Sequence, residues 1–205
     1  MKDRTIILAL YYSLYGNVFA LMKEAAAAAA EVPGTEVRLR RVPELIPEAV
    51  IRENEAMSKA RARQADVPLA GLDELAGCDG LLLGAPTRFG NMCSQMRNFL
   101  DQTGGLWQKG ALAGKPAGLL TSTNTMHGGQ ETTLVSMAFT LLHHGMVIVG
   151  VPYTVPELST TRGGGTPYGA SRLAGEAGSP PSPEETAIAR ALGKRLAEIA
   201  VRLKG

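Results

Sequence analysis

Residues 5–30 read TIILALYYSLYGNVFALMKEAAAAAA, and this stretch sets the fold class. Thr5–Tyr12 is a continuous run of apolar and aromatic residues. Such a run suits a central parallel strand covered on both faces, not a half-solvated one. Val18, Leu21, Met22, Ala25 and Ala29 then recur at the spacing of a single helix face. The run Ala25–Ala30 resembles low complexity. Alanine is the best helix former, so it reads as a helix with a face for close packing. A strand feeding a helix through Ser13–Asn17 is the first half of a βαβ unit.

The same alternation continues outward. Thr35–Val42 alternates as a strand, and Asp79–Ala85 is a second buried strand. Asn91–Thr103 carries Met92, Met96, Phe99 and Leu100 at helical spacing. Pro116–Thr121 reads as a strand. Gly129–His144 reads as a helix with Gly145 as its C-cap. Met146–Tyr153 reads as the fifth strand, and Pro183–Lys204 as a terminal helix with Ser182 as N-cap. Five strands alternating with helices imply an α/β fold, a doubly wound five-stranded parallel sheet in a three-layer α/β/α arrangement.

The 205 residues lie between one and two domains in length. No internal repeat or second core is evident. Residues 43–68, with three prolines and a short helical-looking patch around Ile51–Arg63, and residues 158–183, rich in glycine and proline, do not fit the alternation, and long loops of this kind are commonly functional or disordered. Setting them aside leaves about one ordinary domain's length. The expectation is therefore one domain over 1–205 with insertions at about 43–68 and 158–183, serving as lids or subunit contacts.

Charge excludes several classes. A formal net charge of +2 is no electrostatic footprint for nucleic acid. Arg38, Arg40 and Arg41 alternate as a strand's solvent face. Cys78 and Cys93 make no metal pattern and read as buried free thiols in a cytoplasmic protein. The apolar runs Ile6–Tyr12 and Met146–Pro152 fall far short of the ~20 residues that span a bilayer. Lys2 and Arg4 precede the first run as in a signal peptide, but no small-residue cleavage site follows.

In an open α/β sheet, ligands bind at the carboxyl ends of the strands. The first turn there is Ser13, Leu14, Tyr15, Gly16, Asn17 and Val18. Helix-start N–H groups with the Ser13 and Asn17 side chains can cradle a phosphate without a lysine; a plain capping turn is the alternative. No G-x-G-x-x-G and no G-x-x-x-x-G-K-[ST] is present, which disfavours dinucleotide binding of that type and P-loop hydrolysis. The third turn, Pro86, Thr87, Arg88, Phe89, Gly90 and Asn91, sets an arginine and a flat aromatic at the mouth of a central strand; alternatively Arg88 simply pairs with a surface carboxylate. The fourth, Ser122, Thr123, Asn124, Thr125, Met126, His127, Gly128 and Gly129, is rich in short hydrogen-bonding side chains. Response-regulator phosphotransfer fails for want of acidic residues after the first and third strands. Together the three turns suit one mononucleotide. Flavin mononucleotide (FMN) fits best, with its phosphate on the first turn and its ring across the other two. His143 is either a tuning group for a reduced flavin or a helix-end cation favoured by the dipole.

Six stretches are familiar together: Tyr11–Gly16 (YYSLYG), Pro86–Met92 (PTRFGNM), Phe99–Trp107 (FLDQTGGLW), Gly128–Glu131 (GGQE), His143–Val149 (HHGMVIV) and Arg162–Ala170 (RGGGTPYGA). With them the chain resembles the WrbA-type NAD(P)H:quinone oxidoreductases, flavodoxin-like proteins also called tryptophan-repressor-binding proteins. The resemblance implies a flavodoxin-like sheet, bound FMN, NADH or NADPH as co-substrate, quinone as acceptor, a ping-pong hydride cycle and a homotetramer in equilibrium with dimers. It implies flavin contacts on Ser13–Val18, on Thr87–Asn91, on Ser122–Gly129 and on His143. It places Tyr15 near the nicotinamide and Trp107 in the quinone site at a subunit junction. The family commonly reads Ser-Thr-x-Thr-Gly-Gly-Gly-Gln where this chain has Ser122–Gln130, one residue longer and with two glycines replaced. A flavodoxin-like electron carrier and an FMN reductase or azoreductase are the alternatives. Acidic docking surfaces mark such carriers, and a charge of +2 argues against one.

Overall fold

The computed structural model describes residues 4–175 and 179–204. Lys2 and the part of the expected insertion at 176–178 lie outside the described residues. In chain order the elements are β1 (Thr5–Tyr11), α1 (Asn17–Ala30), β2 (Thr35–Arg41), α2 (Glu48–Glu53), α3 (Glu55–Ala62), α4 (Leu72–Gly77), β3 (Gly80–Arg88), β4 (Asn91–Met92), α5 (Ser94–Asp101) and α6 (Gly104–Gln108). They continue as β5 (Pro116–Thr123), α7 (Gln130–His143), β6 (Val147–Val149), α8 (Glu157–Thr160), β7 (Ala170–Leu173) and α9 (Pro183–Lys204).

The sheet runs β2-β1-β3-β5-β6 with every one of these pairings parallel, and β7 adds beside β5. The strand order reverses beside β1, between β1 and β3. That switch point opens a crevice at the carboxyl ends of both strands. Side chains of β1 alternate between two cores. Ile7, Ala9 and Tyr11 join α1 and α9 on one face, while Leu8, Leu10 and Tyr12 join α5 and α7 on the other. This double burial is why Thr5–Tyr11 is apolar without a period of two. β2 is the edge, half-buried throughout, and Arg40 there pairs with Glu74 at 2.8 Å.

On the first face, α1 and α9 meet through small residues. Ala25, Ala26 and Ala29 of α1 share a core with Ala189, Ala197 and Ala200 of α9. Gly193 lies so close that an added Cβ would collide with the Ala25 carbonyl. Ser182 starts α9 through a reciprocal capping box, accepting the Glu185 N–H at 3.1 Å while Glu185 Oε2 accepts the Ser182 N–H at 2.9 Å. Both cysteines are free and buried, and burial pushes the Cys78 thiol up to about 11.

Three features differ from the sequence-based expectation. The helix expected over Asn91–Thr103 starts only at Ser94, because Asn91 and Met92 fold back antiparallel on Thr87 and Arg88. The strand expected over Met146–Tyr153 stops at Val149. Its role as partner of β5 is shared: β6 pairs Pro116–Gly118, and β7 pairs Leu120–Thr123. The second insertion therefore lies within the fifth strand position, at 150–169, and not after it. Period reading cannot see this, since Ala170–Leu173 is too short to stand out among glycines. Residues 43–68, where the sequence shows a short helical patch around Ile51–Arg63, fold more fully than that, as α2 and α3. Asn54 caps α3 by accepting the Met57 N–H at 3.1 Å.

Candidate functional site

A cavity of about 470 Å³ opens at the carboxyl ends of β1, β3 and β5. It is lined by Ser13, Leu14, Tyr15, Asn17, Pro86, Thr87, Arg88, Ser122, Thr123 and Asn124, with Ala174 and Gly175 from the segment after β7. Three turns that are far apart in sequence thus meet at one place. Ala174 and Gly175 were missed by sequence reasoning, because nothing in a glycine-rich segment announces that it returns to the sheet.

The first turn is built to leave donors facing outward. Gly16 sits at the α1 N-cap with φ 87°, a left-handed conformation that costs glycine little. No acidic residue occupies the first turn of α1. Ser13 Oγ accepts the Phe19 N–H at 3.1 Å, which fixes its lone pair and leaves its hydroxyl proton to donate elsewhere. The Asn17 Oδ1 is buried with no hydrogen-bond partner among the described residues. Val18 does not line the cavity; it is fully buried in the core beneath.

The third turn is a tight hairpin with positive φ at both central residues, Phe89 at 53° and Gly90 at 77°. That geometry suits Asn-Gly; a bulky aromatic at the first position is strained. The Phe89 ring gains nothing from the chain in return, for it is fully exposed. An arginine beside it, Arg88, is exposed too and donates only to the Thr87 carbonyl at 2.8 Å; it pairs with no carboxylate among the described residues. Asn91 faces a different cavity.

The third and fourth turns are locked together. Thr133 Oγ1 on α7 lies 2.8 Å from Thr87 Oγ1. Gly129, with φ 89°, approaches so closely that a Cβ there would lie 3.3 Å from the Gly90 Cα. Thr123 Oγ1 donates to the Thr125 carbonyl at 2.8 Å and closes the loop on itself. Thr125, Met126 and His127 are exposed and stand outside the cavity lining, as do Gly128 and Gly129.

His143 and Trp107 are not at this place. They share a second cavity of about 490 Å³ with Asn91, Arg97, Phe139 and Thr140. The 14 residues of α7 run from the end of the fourth turn to His143 at the helix C-terminus, a span of about 20 Å at 1.5 Å per residue. Within one chain, therefore, His143 does not face the first cavity. Its neighbour His144 is buried, with Nε2 at 2.9 Å from Thr103 Oγ1, and burial holds it below the ordinary histidine range. Trp107 and Phe139 are large exposed apolar residues on the rim of this second cavity. No cluster of metal-binding side chains occurs among the described residues, and no helix there is long and apolar enough to cross a membrane.

Comparison with known proteins gives the geometry a context. Residues 6–158 match the family model for NADPH-dependent FMN reductase. The chain is 49% identical over 201 residues to an Aromatoleum aromaticum protein named NAD(P)H dehydrogenase (quinone), covering 95% of each chain. A Geobacter metallireducens protein of the same name is 48% identical over 95% of this chain and 97% of its own. Among solved structures, a flavodoxin, WrbA-like protein from Agrobacterium tumefaciens has a TM-score of 0.66 at 17% identity, covering 97% of this chain and 98% of that one. A flavodoxin from the domain Archaea has a TM-score of 0.61, also at 17% identity, covering 96% and 99%. These last two speak to the fold alone.

Proposed function

The chain belongs to the NADPH-dependent FMN reductase family, and from that membership we propose that it is an FMN-dependent NAD(P)H:quinone oxidoreductase. The observation that carries this is the meeting of the β1, β3 and β5 turns in one mononucleotide-sized cavity beside a strained, fully exposed aromatic. The shared name of the two close relatives supports the quinone as acceptor.

The residues present fit the cofactor. Gly16 and the uncapped start of α1 offer N–H groups to a phosphate. The orphaned Asn17 Oδ1 calls for a donor, which a ribityl hydroxyl supplies. Thr87, Ser122, Thr123 and Asn124 carry hydrogen bonds for the polar ring edge, and Phe89 carries an apolar face for the ring. FMN held by these residues would supply the redox chemistry, hydride transfer from NAD(P)H to a quinone. Overall, NAD(P)H, a quinone and a proton give NAD(P)⁺ and a hydroquinone.

The chain's own part is positional. Tyr15, about a third exposed at the cavity mouth, stacks the nicotinamide and then the quinone in the same place. That sharing makes the cycle ping-pong. The exposed second cavity supports a junction in which a partner copy's His143 and Trp107 complete the site of its neighbour, in a homotetrameric cytoplasmic enzyme.

Two measurements test this. Titration with FMN should give saturable binding with a perturbed flavin spectrum, and the loaded protein should oxidise NADH or NADPH far faster when benzoquinone is present. A protein that takes up no FMN would end the flavoenzyme reading, and uptake without NAD(P)H oxidation would favour an electron carrier. Separately, Trp107→Ala should lower kcat/KM for the quinone by about tenfold, as loss of a central aromatic anchor does, while FMN affinity stays within about twofold. Equal losses in both would count against the junction.

A further inference from the structure

We propose that Arg63, at the end of α3, is a contact for the cofactor's phosphate, and that the 43–68 segment serves to hold its guanidinium over the phosphate turn. The proposal rests on the reading of Ser13–Val18 as the phosphate cradle. No fold motif carries this residue, because α2 and α3 belong to a segment that the sheet does not need.

The placement is specific. An added Cβ on Gly16 would meet the Arg63 Nη2 at 3.4 Å and the Ala60 Cβ at 3.7 Å. The guanidinium therefore lies directly against the turn where α1 begins. Its backbone is anchored there. Arg63 is the C-cap of α3, its N–H accepted by the Lys59 carbonyl at 3.3 Å. The next residue, Gln64, is buried and donates from Nε2 to the Ser13 carbonyl at 3.0 Å and to the Ala60 carbonyl at 2.8 Å. Ala60 is fully buried. One buried amide thus stitches the insertion to the strand end that opens the phosphate turn.

The neighbouring cations are committed and Arg63 is not. Arg61 pairs with Glu48 at 2.7 Å, Lys59 pairs with Glu55, and Arg41 donates to the Val67 carbonyl at 2.9 Å. Arg63 is exposed, and its guanidinium has no hydrogen bond or ion pair among the described residues. An arginine fork matches a phosphate's geometry. It adds a full charge to a helix start that otherwise contributes only partial charges. The sequence shows no lysine in the phosphate turn; the structure brings an arginine to it from 47 positions along the chain.

FMN and riboflavin differ only in the phosphate, so they separate the possibilities. Affinities of wild type, Arg63→Ala and Arg63→Lys for each flavin are read from quenching of flavin fluorescence, with thermal melts as folding controls. Arg63→Ala should weaken FMN about 10- to 100-fold, the usual worth of a charge-assisted pair, and leave riboflavin within about twofold. Arg63→Lys should fall between, and the salt dependence of FMN binding should shrink in Arg63→Ala. If wild type binds FMN and Arg63→Ala binds it equally well, or loses riboflavin in parallel, the phosphate role is overturned while the flavoenzyme reading stands. If wild type binds no FMN, both fall.

Discussion

Phe89→Gly should leave the protein equally stable or more stable while weakening FMN about 10- to 100-fold. Two terms act on the stability. The phenylalanine sits at φ 53°, where a side chain costs about 1–2 kcal/mol, and glycine removes that cost. Glycine also loosens the unfolded chain, which returns about 0.5–1 kcal/mol against folding. The ring itself contributes no burial to offset, since it is fully exposed. The net change therefore lies between zero and about 1.5 kcal/mol in favour of the variant. Binding behaves in the opposite way. Covering an aromatic with a flavin ring is worth about 1.5–3 kcal/mol, and each 1.4 kcal/mol is about tenfold in affinity. Melting temperature and flavin titration on the same preparation check both signs. A variant that melts lower and binds FMN as before would show that Phe89 shapes the hairpin and nothing else.

Gly193→Ala should destabilise the fold by about 2 kcal/mol, against the direction that helix propensity alone dictates. In an open helix the change from glycine to alanine gains about 1 kcal/mol. Here the new Cβ would collide with the carbonyl, C and Cα atoms of Ala25. Backbone cannot rotate away as a side chain can, so α1 and α9 must separate along their alanine faces. Overpacking of that kind costs about 1–3 kcal/mol or more, to which the surrendered contacts of the shared core add. For a chain of this size each kcal/mol moves the melting point by about 2–4 °C, so a fall of roughly 4–8 °C is expected. Gly77→Ala is the control. Gly77 is also helical, as the last residue of α4, but nothing lies within 4 Å of its Cβ position, and its substitution should be neutral or mildly stabilising. A rise in both variants would refute the close approach of α1 and α9.

Much of the fold was legible because its signals are local and repeated. Ile6–Tyr11 is apolar or aromatic at every position since both faces are covered, and Ser182 with Glu185 announces α9 by a capping box within four residues. The hairpin at Phe89 was not legible. Its Met92, Met96, Phe99 and Leu100 spacing continues backward into a turn that happens to keep the helical period. The split of the fifth strand was also hidden, because β6 and β7 are each short and their pairing with β5 is a matter of register. At the site, the β1, β3 and β5 turns could be named from sequence, but Ala174, Gly175 and Arg63 could not. Ala174 and Gly175 reach the crevice through a segment without a period, and the helical patch that ends at Arg63 gives no sign of where it packs.

The sequence by itself determined the alternation of main strands and helices, and hence a doubly wound parallel sheet. It also placed the three turns that must meet there. Patterning acts through burial, and burial is imposed on every residue of an element, so it leaves a repeated mark. Only the tertiary structure decided that His143 and Trp107 face a second cavity, at the opposite end of α7 from the fourth turn. It alone decided that Phe89 stands strained and uncovered, and that Arg63 lies on the phosphate turn. Each of these depends on the position of one side chain relative to a segment distant in sequence. A single contact of that kind, however strong, has no periodicity to betray it.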